Sequence, residues 1–266
     1  MLTEKYEKLQ SILRELNSVV VAFSGGVDST FLLKAAVDTL GPDQVLAVTA
    51  DSETYPSTEL AEARELAEWI GARHQVIETS ELAIPGYAEN TKNRCYFCKS
   101  SLFDHLVPVL TEQSYKNIVY GVIADDMNEF RPGMQAAKER GIRGPLLEAG
   151  LYKDEIRELS RGYGLPTWDK PSFACLSSRI AYGERITKEK LSKVEKAEAY
   201  LKSLGIRQVR VRTHQDTARI EVEPKDMQTV LEQHSQISGR LQEYGYKYVT
   251  LDLVGYQSGS MNKVLA

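Results

Sequence analysis

At 266 residues and 42% hydrophobic content, the chain can bury one large core or two modest ones, and a large α/β domain with a smaller companion is the natural expectation. The net charge of −4 lacks the basic surplus of a protein that tracks a long phosphate backbone, which argues against a nucleic-acid partner such as tRNA. The longest apolar runs, such as Val19 to Phe23, are strand-sized and far below the ~20 residues of a membrane span, so no membrane partner is expected.

The start, Met1 to Glu7, carries acids where a secretory signal would be basic and then apolar, so a cytoplasmic protein with reduced thiols is expected. Leu2, Tyr6, Leu9, Ile12, Leu13 and Leu16 recur at helical spacing and predict an amphipathic helix over residues 2–16. Short β-rich runs follow at Val19–Phe23, Val45–Ala50, His74–Ile77 and Ile118–Val122, separated by helical stretches at Ser29–Leu40, Ser57–Ile70 and Lys99–Leu110. That alternation predicts a parallel sheet with crossover helices on both faces. Ligands of such sheets sit beyond the carboxyl ends of the strands, here the loops at Ser24, Ala50 and Ile123.

Lys153 to Tyr163 reads as a further helix, closed by Gly164-Leu165-Pro166. From Thr187 the pattern changes: a helix carrying Val194, Ala197 and Leu201, two alternating runs at Gln208–Thr213 and Thr217–Glu223, a helical stretch from Pro224 and a strand at Tyr246–Leu253. Residues 1–184 are thus expected to form the α/β domain and residues 185–266 a smaller α+β domain for substrate binding or oligomerisation.

Ser24-Gly25-Gly26-Val27-Asp28-Ser29-Thr30 follows a buried-strand signal and opens a helix, so its glycines can bring backbone N–H groups to an anion at a positive helix end. A Walker loop would place Lys before the final Ser or Thr. Here Asp28 takes that place, and a carboxylate there suits magnesium rather than phosphate. The string resembles the pyrophosphate loop of the adenine-nucleotide α-hydrolases, the superfamily of GMP synthetase, NAD synthetase, asparagine synthetase and the tRNA thiolases. The resemblance implies that Ser24, Gly25, Gly26, Asp28, Ser29 and Thr30 hold the pyrophosphate of ATP and its Mg2+, and that Thr49 and Ala50 meet the adenosine. It also implies adenylation, which turns a carboxylate oxygen into a leaving group.

Three cysteines are an odd number for a disulfide framework. Cys95 and Cys98 stand at a spacing that lets both reach one metal, and Cys175 adds a third thiol from a distant loop. Three thiolates suit a [4Fe–4S] cluster with one open iron that carries exogenous sulfide. A closed zinc site would need a fourth ligand, and His105 lies outside the usual spacings. Inert buried thiols are the bland alternative, and Cys175 giving up its own sulfur is another.

The phosphate loop, Cys95-Tyr96-Phe97-Cys98-Lys99, Gly121-Val122-Ile123-Ala124-Asp125-Asp126, Arg131-Pro132-Gly133, Ala174-Cys175-Leu176-Ser177-Ser178-Arg179 and Gly255 to Asn262 together resemble the LarE family nearly end to end. That family is the ATP-dependent sulfur transferase in synthesis of the nickel-pincer nucleotide cofactor of lactate racemase. The resemblance implies conversion of pyridinium-3,5-biscarboxylic acid mononucleotide to the bisthiocarboxylic form, and a homo-oligomer. Some members sacrifice the cysteine matching Cys175, and others ligate a [4Fe–4S] cluster with three cysteines. The three-cysteine set here favours the cluster by ligand count.

Gly121, Asp125 and Asp126, after a strand end, are expected at the nucleotide, with a turn or helix cap as the alternative for the two acids. Lys153 reaches a phosphate in one reading, and a solvated helical face is the commoner one. Ser177, Ser178 and Arg179 beside Cys175 are expected to donate to the substrate carboxylate or the adenylate. A hairpin about Gln215-Asp216 would set Arg210 opposite Glu221 and Arg212 opposite Arg219. Two facing arginines call for an anion between them, so Arg212 and Arg219 are expected to bind a substrate phosphate or carboxylate. An ammonia-using synthetase of the NAD synthetase type, a tRNA thiolase or a non-enzymatic ATP- or metal-binding sulfur carrier are the competing functions.

Overall fold

A computed structural model describes residues 1–128 and 132–265. The chain divides into two compact units, Met1–Ser80 with Cys95–Ser172, and Glu81–Arg94 with everything from Phe173 on.

The first unit contains α1 (Leu2–Leu16), β1 (Val19–Ala22), α2 (Val27–Leu40), β2 (Val45–Asp51), α3 (Ser57–Ile70), β3 (Arg73–Glu78), α4 (Arg94–Glu112), β4 (Asn117–Tyr120), α5 (Pro132–Glu139), α6 (Pro145–Glu148) and α7 (Lys153–Gly162). Its four strands are all parallel, in the order β3-β2-β1-β4. Alternation along β1 explains the two covered faces. Val19 and Val21 pack with α1, α2 and α3, through residues such as Leu13, Phe31 and Ala67. Val20 points the other way, into a core with Phe103 and Leu106 of α4 and Ala137 of α5. The chain moves from β1 outward to β2 and β3 and then returns to β1's other edge with β4. This reversal makes the crevice beyond the carboxyl ends of β1 and β4 the expected ligand site of the sheet.

α4 begins at Arg94, ahead of the expected Lys99, so Cys95 and Cys98 lie in its opening turns. Nothing between Arg94 and Lys99 breaks a helix, and the apolar pattern used to set the start only marks where burial begins.

The second unit contains α8 (Lys188–Ser203), β5 (Val209–His214), β6 (Thr217–Val222), α9 (Met227–Glu232), α10 (His234–Glu243) and β7 (Tyr248–Leu251). β5 and β6 form an antiparallel hairpin, and β7 pairs parallel to β6. Inward residues Val209, Val211, Ala218 and Ile220 meet Ala197 and Leu201 of α8 and Ile237 and Leu241 of α10. The expected boundary at residues 184/185 is thus moved to Ser172/Phe173, and Glu81–Arg94 joins the second unit. Hydrogen bonds explain the excursion: Asn90 Nδ2 donates to the carbonyls of Ile180 (3.1 Å) and Ala181 (2.7 Å), and Ile186 N donates to Ala88 O (2.8 Å).

Candidate active site

The phosphate loop occupies the turn between β1 and α2. Gly25 has φ +63°, in the left-handed region, and a Cβ on it would stand 3.2 Å from Ala63 Cβ of α3. Glycine is therefore needed for conformation and for space. Gly26 caps α2, which leaves the first amides of that helix without carbonyl partners of their own. Ser24 and Ser29 bridge the loop, with Oγ atoms 3.1 Å apart and Ser24 N donating to Ser29 Oγ at 3.3 Å.

Two of the residues expected at the nucleotide, Thr30 and Thr49, have buried side chains. Thr30 is fully buried, and Thr49 is 1% exposed, donating from Oγ1 to Phe23 O at 2.9 Å and lying 2.8 Å from His74 Nε2. Both Thr49 and Ala50 belong to β2, which runs on to Asp51. Gly121 has a packing reason for being glycine: a Cβ would fall 2.9 Å from Ser29 N and 3.2 Å from Asp28 C, so the end of β4 presses directly on the first turn of α2.

Asp28, in that first turn, forms a two-pronged ion pair with Lys153, whose Nζ lies 2.6 and 2.5 Å from the carboxylate oxygens. Burial raises the Asp28 pKa, and Lys153 opposes the rise. Asp126 lies close enough to add to the rise and Arg157 to counter it. Asp125 accepts from the Lys153 backbone N–H at 2.8 Å and so caps α7, while Asp126 accepts from Ile123 N at 3.1 Å. Both acids thus bond to backbone amides, and Asp125 fixes the start of α7, with Lys153, beside the loop. Lys153, on a helical face that reads from the sequence as solvated, thus places a cation beside the loop. A second one was not anticipated at all: Lys170 Nζ donates to Gly25 O (3.2 Å) and pairs with Glu59 and Glu62, each at 2.7 Å. Burial works against its charge, but the two glutamates outweigh burial and raise its pKa.

In the second unit, Cys175 precedes a short 3-10 turn, Leu176–Arg179. Arg179 is 1% exposed. Its Nη1 donates back to the carbonyls of Ala174 and Cys175, the latter at 2.9 Å, and to Ser178 Oγ at 3.0 Å. Its Nε and Nη2 grip the two carboxylate oxygens of Glu198 in α8, both at 2.9 Å. Burial opposes the charge on each, yet their mutual attraction raises the Arg179 pKa and lowers that of Glu198. Ser177 is buried and accepts from Tyr87 Oη at 2.8 Å, and its carbonyl accepts from the buried Arg94 at 3.0 Å. The expected donors Ser177 and Arg179 are therefore engaged within the protein, where they hold the backbone of the cysteine turn. Ser178, the third, shares its hydroxyl with Arg179.

The hairpin register is the expected one, Arg210 opposite Glu221 and Arg212 opposite Arg219. The anion between the facing arginines is the protein's own. Glu221 accepts from Arg212 Nε (3.0 Å) and Arg219 Nη2 (3.1 Å), and Ser260 Oγ joins it at 2.9 Å. Glu221 shares the strand face of Arg219, two residues along, so a diagonal reach puts its carboxylate where an external anion was expected. Arg210 lies over the Tyr256 ring at 5.4 Å, and burial lowers its pKa to about 10, with the Arg179 charge adding to the effect.

Cys95 is exposed, and Cys98 and Cys175 are half-buried, with no disulfide among them. Thiol donors suit iron in softness. Among the described residues no three His, Cys, Asp or Glu side chains gather into a metal-ligand set. Next to this turn of α4, Gly133 comes so close that a Cβ would stand 2.8 Å from Lys99 Cγ; Arg131 of the same motif lies outside the described residues.

A family model described as NAD synthase matches residues 3–95, the stretch with the phosphate loop and β1 to β3. An uncharacterized protein of Synechocystis sp. is 49% identical over 267 residues, covering 100% of this chain and 99% of that protein. The pyridinium-3,5-bisthiocarboxylic acid mononucleotide synthase of Lactiplantibacillus plantarum is 39% identical over 264 residues, covering 99% of this chain and 96% of its own length. With the loop geometry, the glycine contacts and this end-to-end identity together, the chain belongs to the family of pyridinium-3,5-bisthiocarboxylic acid mononucleotide synthase, the LarE family.

Proposed function

We propose that the chain is an ATP-dependent sulfur transferase that converts the carboxylates of pyridinium-3,5-biscarboxylic acid mononucleotide to thiocarboxylates. A substrate carboxylate oxygen attacks the α-phosphorus of ATP, the bond to the β-phosphate oxygen breaks, and pyrophosphate leaves. The Cys175 thiolate then attacks the acyl carbon and AMP departs. Loss of the Cys175 α-proton breaks its Cβ–S bond, which leaves the sulfur on the substrate and a dehydroalanine in the chain.

The observation that carries this reading is the phosphate loop at the β1/β4 reversal with Lys153 paired to Asp28. Oxygen donors at Asp28 suit magnesium, a hard cation that shields phosphate charge. With magnesium held there, Lys153 would face the phosphates. Ser24, Gly25, Gly26 and Ser29 line the pyrophosphate, and Asp125 and Asp126 keep Lys153 and the β4 turn in place. Arg179 and Ser177 fix the backbone on either side of Cys175. Cys95 and Cys98 would supply thiolates to the alternative sulfur source, a [4Fe–4S] cluster that carries exogenous sulfide.

Intact mass of the chain before and after turnover, with pyrophosphate measured in parallel, tests the proposal. Pyrophosphate release and a chain lighter by one hydrogen sulfide, lost from Cys175, is the expected result for sacrifice. An unchanged mass with cluster absorbance over many turnovers assigns the sulfur to the cluster. Cys175→Ala should still release pyrophosphate but form no thiocarboxylate. Absence of pyrophosphate with this substrate under anaerobic, sulfide-supplied conditions would sink the reading, and full activity of Cys175→Ala would move it to an amide-forming synthetase.

A further inference from the structure

Four successive carbonyls run through the phosphate loop, and each accepts from a side chain. Phe23 O is held by Thr49 Oγ1 at 2.9 Å, Ser24 O by Tyr55 Oη at 2.8 Å, Gly25 O by Lys170 Nζ at 3.2 Å and Gly26 O by Ser29 Oγ at 3.2 Å. In a trans peptide the C=O and the following N–H point to opposite sides of the chain. Holding the carbonyls of Ser24, Gly25 and Gly26 therefore aims the N–H groups of Gly25, Gly26 and Val27 the other way. These three, with the Asp28 amide at the start of α2, are the donors a phosphate meets at such a turn.

Thr49 and Ser29 act from the sheet and from α2 itself. The other two holds come from farther away. Tyr55 belongs to the β2–α3 connection, and Lys170 lies 145 residues beyond Gly25. Lys170 is locked in turn by Glu59 and Glu62 of α3, the helix whose Ala63 abuts Gly25. Both donors keep their protons: burial raises the Tyr55 pKa, and Lys170 is raised by its glutamates against the pull of burial. A cation on Gly25 O also polarises that amide, which makes the Gly26 N–H a stronger donor.

We propose that Tyr55 and Lys170 are positioning residues for the pyrophosphate moiety of ATP, holding the Ser24 and Gly25 carbonyls back so that successive amides face the phosphates. The proposal rests on the reading of this loop as the ATP pyrophosphate site. Neither residue touches the nucleotide. Their loss should weaken ligands that carry a pyrophosphate moiety and leave AMP binding alone.

Calorimetric titration of the full chain with magnesium pyrophosphate, Mg-ATP and AMP tests this. Tyr55→Phe removes one hydroxyl and keeps the ring, and it should bind pyrophosphate and ATP about tenfold more weakly, with AMP affinity unchanged. Lys170→Met should do the same and Lys170→Arg should recover most of the loss. Tyr55→Phe keeps the test decisive where Lys170→Met, with two glutamates left facing each other, fails to fold. Parent-like pyrophosphate binding by Tyr55→Phe, or an equal loss for AMP, overturns the proposal alone. A parent chain that takes up no magnesium pyrophosphate overturns the loop reading and this proposal with it.

Discussion

Lys153 Nζ stands 2.5 and 2.6 Å from the two carboxylate oxygens of Asp28, an ion pair between residues 125 positions apart. The lysine comes from the first turn of α7, whose leading amide is capped by Asp125, and the aspartate from the first turn of α2. Neither residue is free to drift. On the proposed reading, magnesium at the Asp28 oxygens would leave the ammonium facing the phosphates.

Replacing Lys153 with Met should therefore lower ATP-dependent pyrophosphate release by about 100-fold, the scale of losing one preorganised charge at a developing anion. Lys153→Arg should restore part of it, since the charge returns with a different shape. Steady-state pyrophosphate release against Mg-ATP concentration measures both.

Gly121→Ala is expected to be disproportionately harmful for a single methyl group. Its Cβ would meet Ser29 N and Asp28 C, both backbone atoms, so α2 must shift at its first turn. Overpacking of this kind costs about 1–3 kcal/mol. Thermal unfolding should register that loss, and the KM for ATP should rise by about tenfold or more, while Gly162→Ala, in open space at the end of α7, should show neither defect.

The buried Arg179–Glu198 pair predicts how stability depends on acidity. Burial favours the neutral carboxyl, but Arg179, Arg210 and the Val211 N–H outweigh it and hold Glu198 below its ordinary value of 4.5. A depressed carboxylate contributes stability that is complete above that ordinary value and is lost as pH falls through the folded-state value. Urea unfolding should show stability declining below about pH 4.5, in the window ordinary for glutamate. Glu198→Gln should be less stable at neutral pH, by up to about 3–5 kcal/mol for a broken buried pair, and should show a shallower acid slope.

Much of this was legible in the chain because it is local. The strand–loop–helix signal around Ser24, the apolar run of Val19 to Phe23 and the hairpin register about Gln215-Asp216 each depend on a few neighbouring residues. Features that depend on distant partners were hidden. Lys153 reads as a solvated helical lysine and Lys170 carries no signal at all, because the acids and carbonyls they meet lie more than 100 residues away. The Arg212–Arg219 pair was correctly placed, but strand register fixes only backbones, and the diagonal reach of Glu221 decided which carboxylate satisfied it. The burial of the Thr49 and Thr30 side chains was hidden for the same reason, since it is set by packing across the sheet.

The Glu81–Arg94 excursion has a consequence for the chain as it is made. Arg94 binds Ser177 O, a carbonyl 83 residues downstream. At ribosomal speed that interval is on the order of ten seconds, during which the guanidinium has no Ser177 to meet. The early part of the first unit can begin to collapse while this segment waits outside any core. A stop after Ser172 would strand it permanently, and a fragment begun at Phe173 would be born without it. The protein must be translated through both crossings before either half is complete, so its halves are poor candidates for separate expression or exchange between relatives.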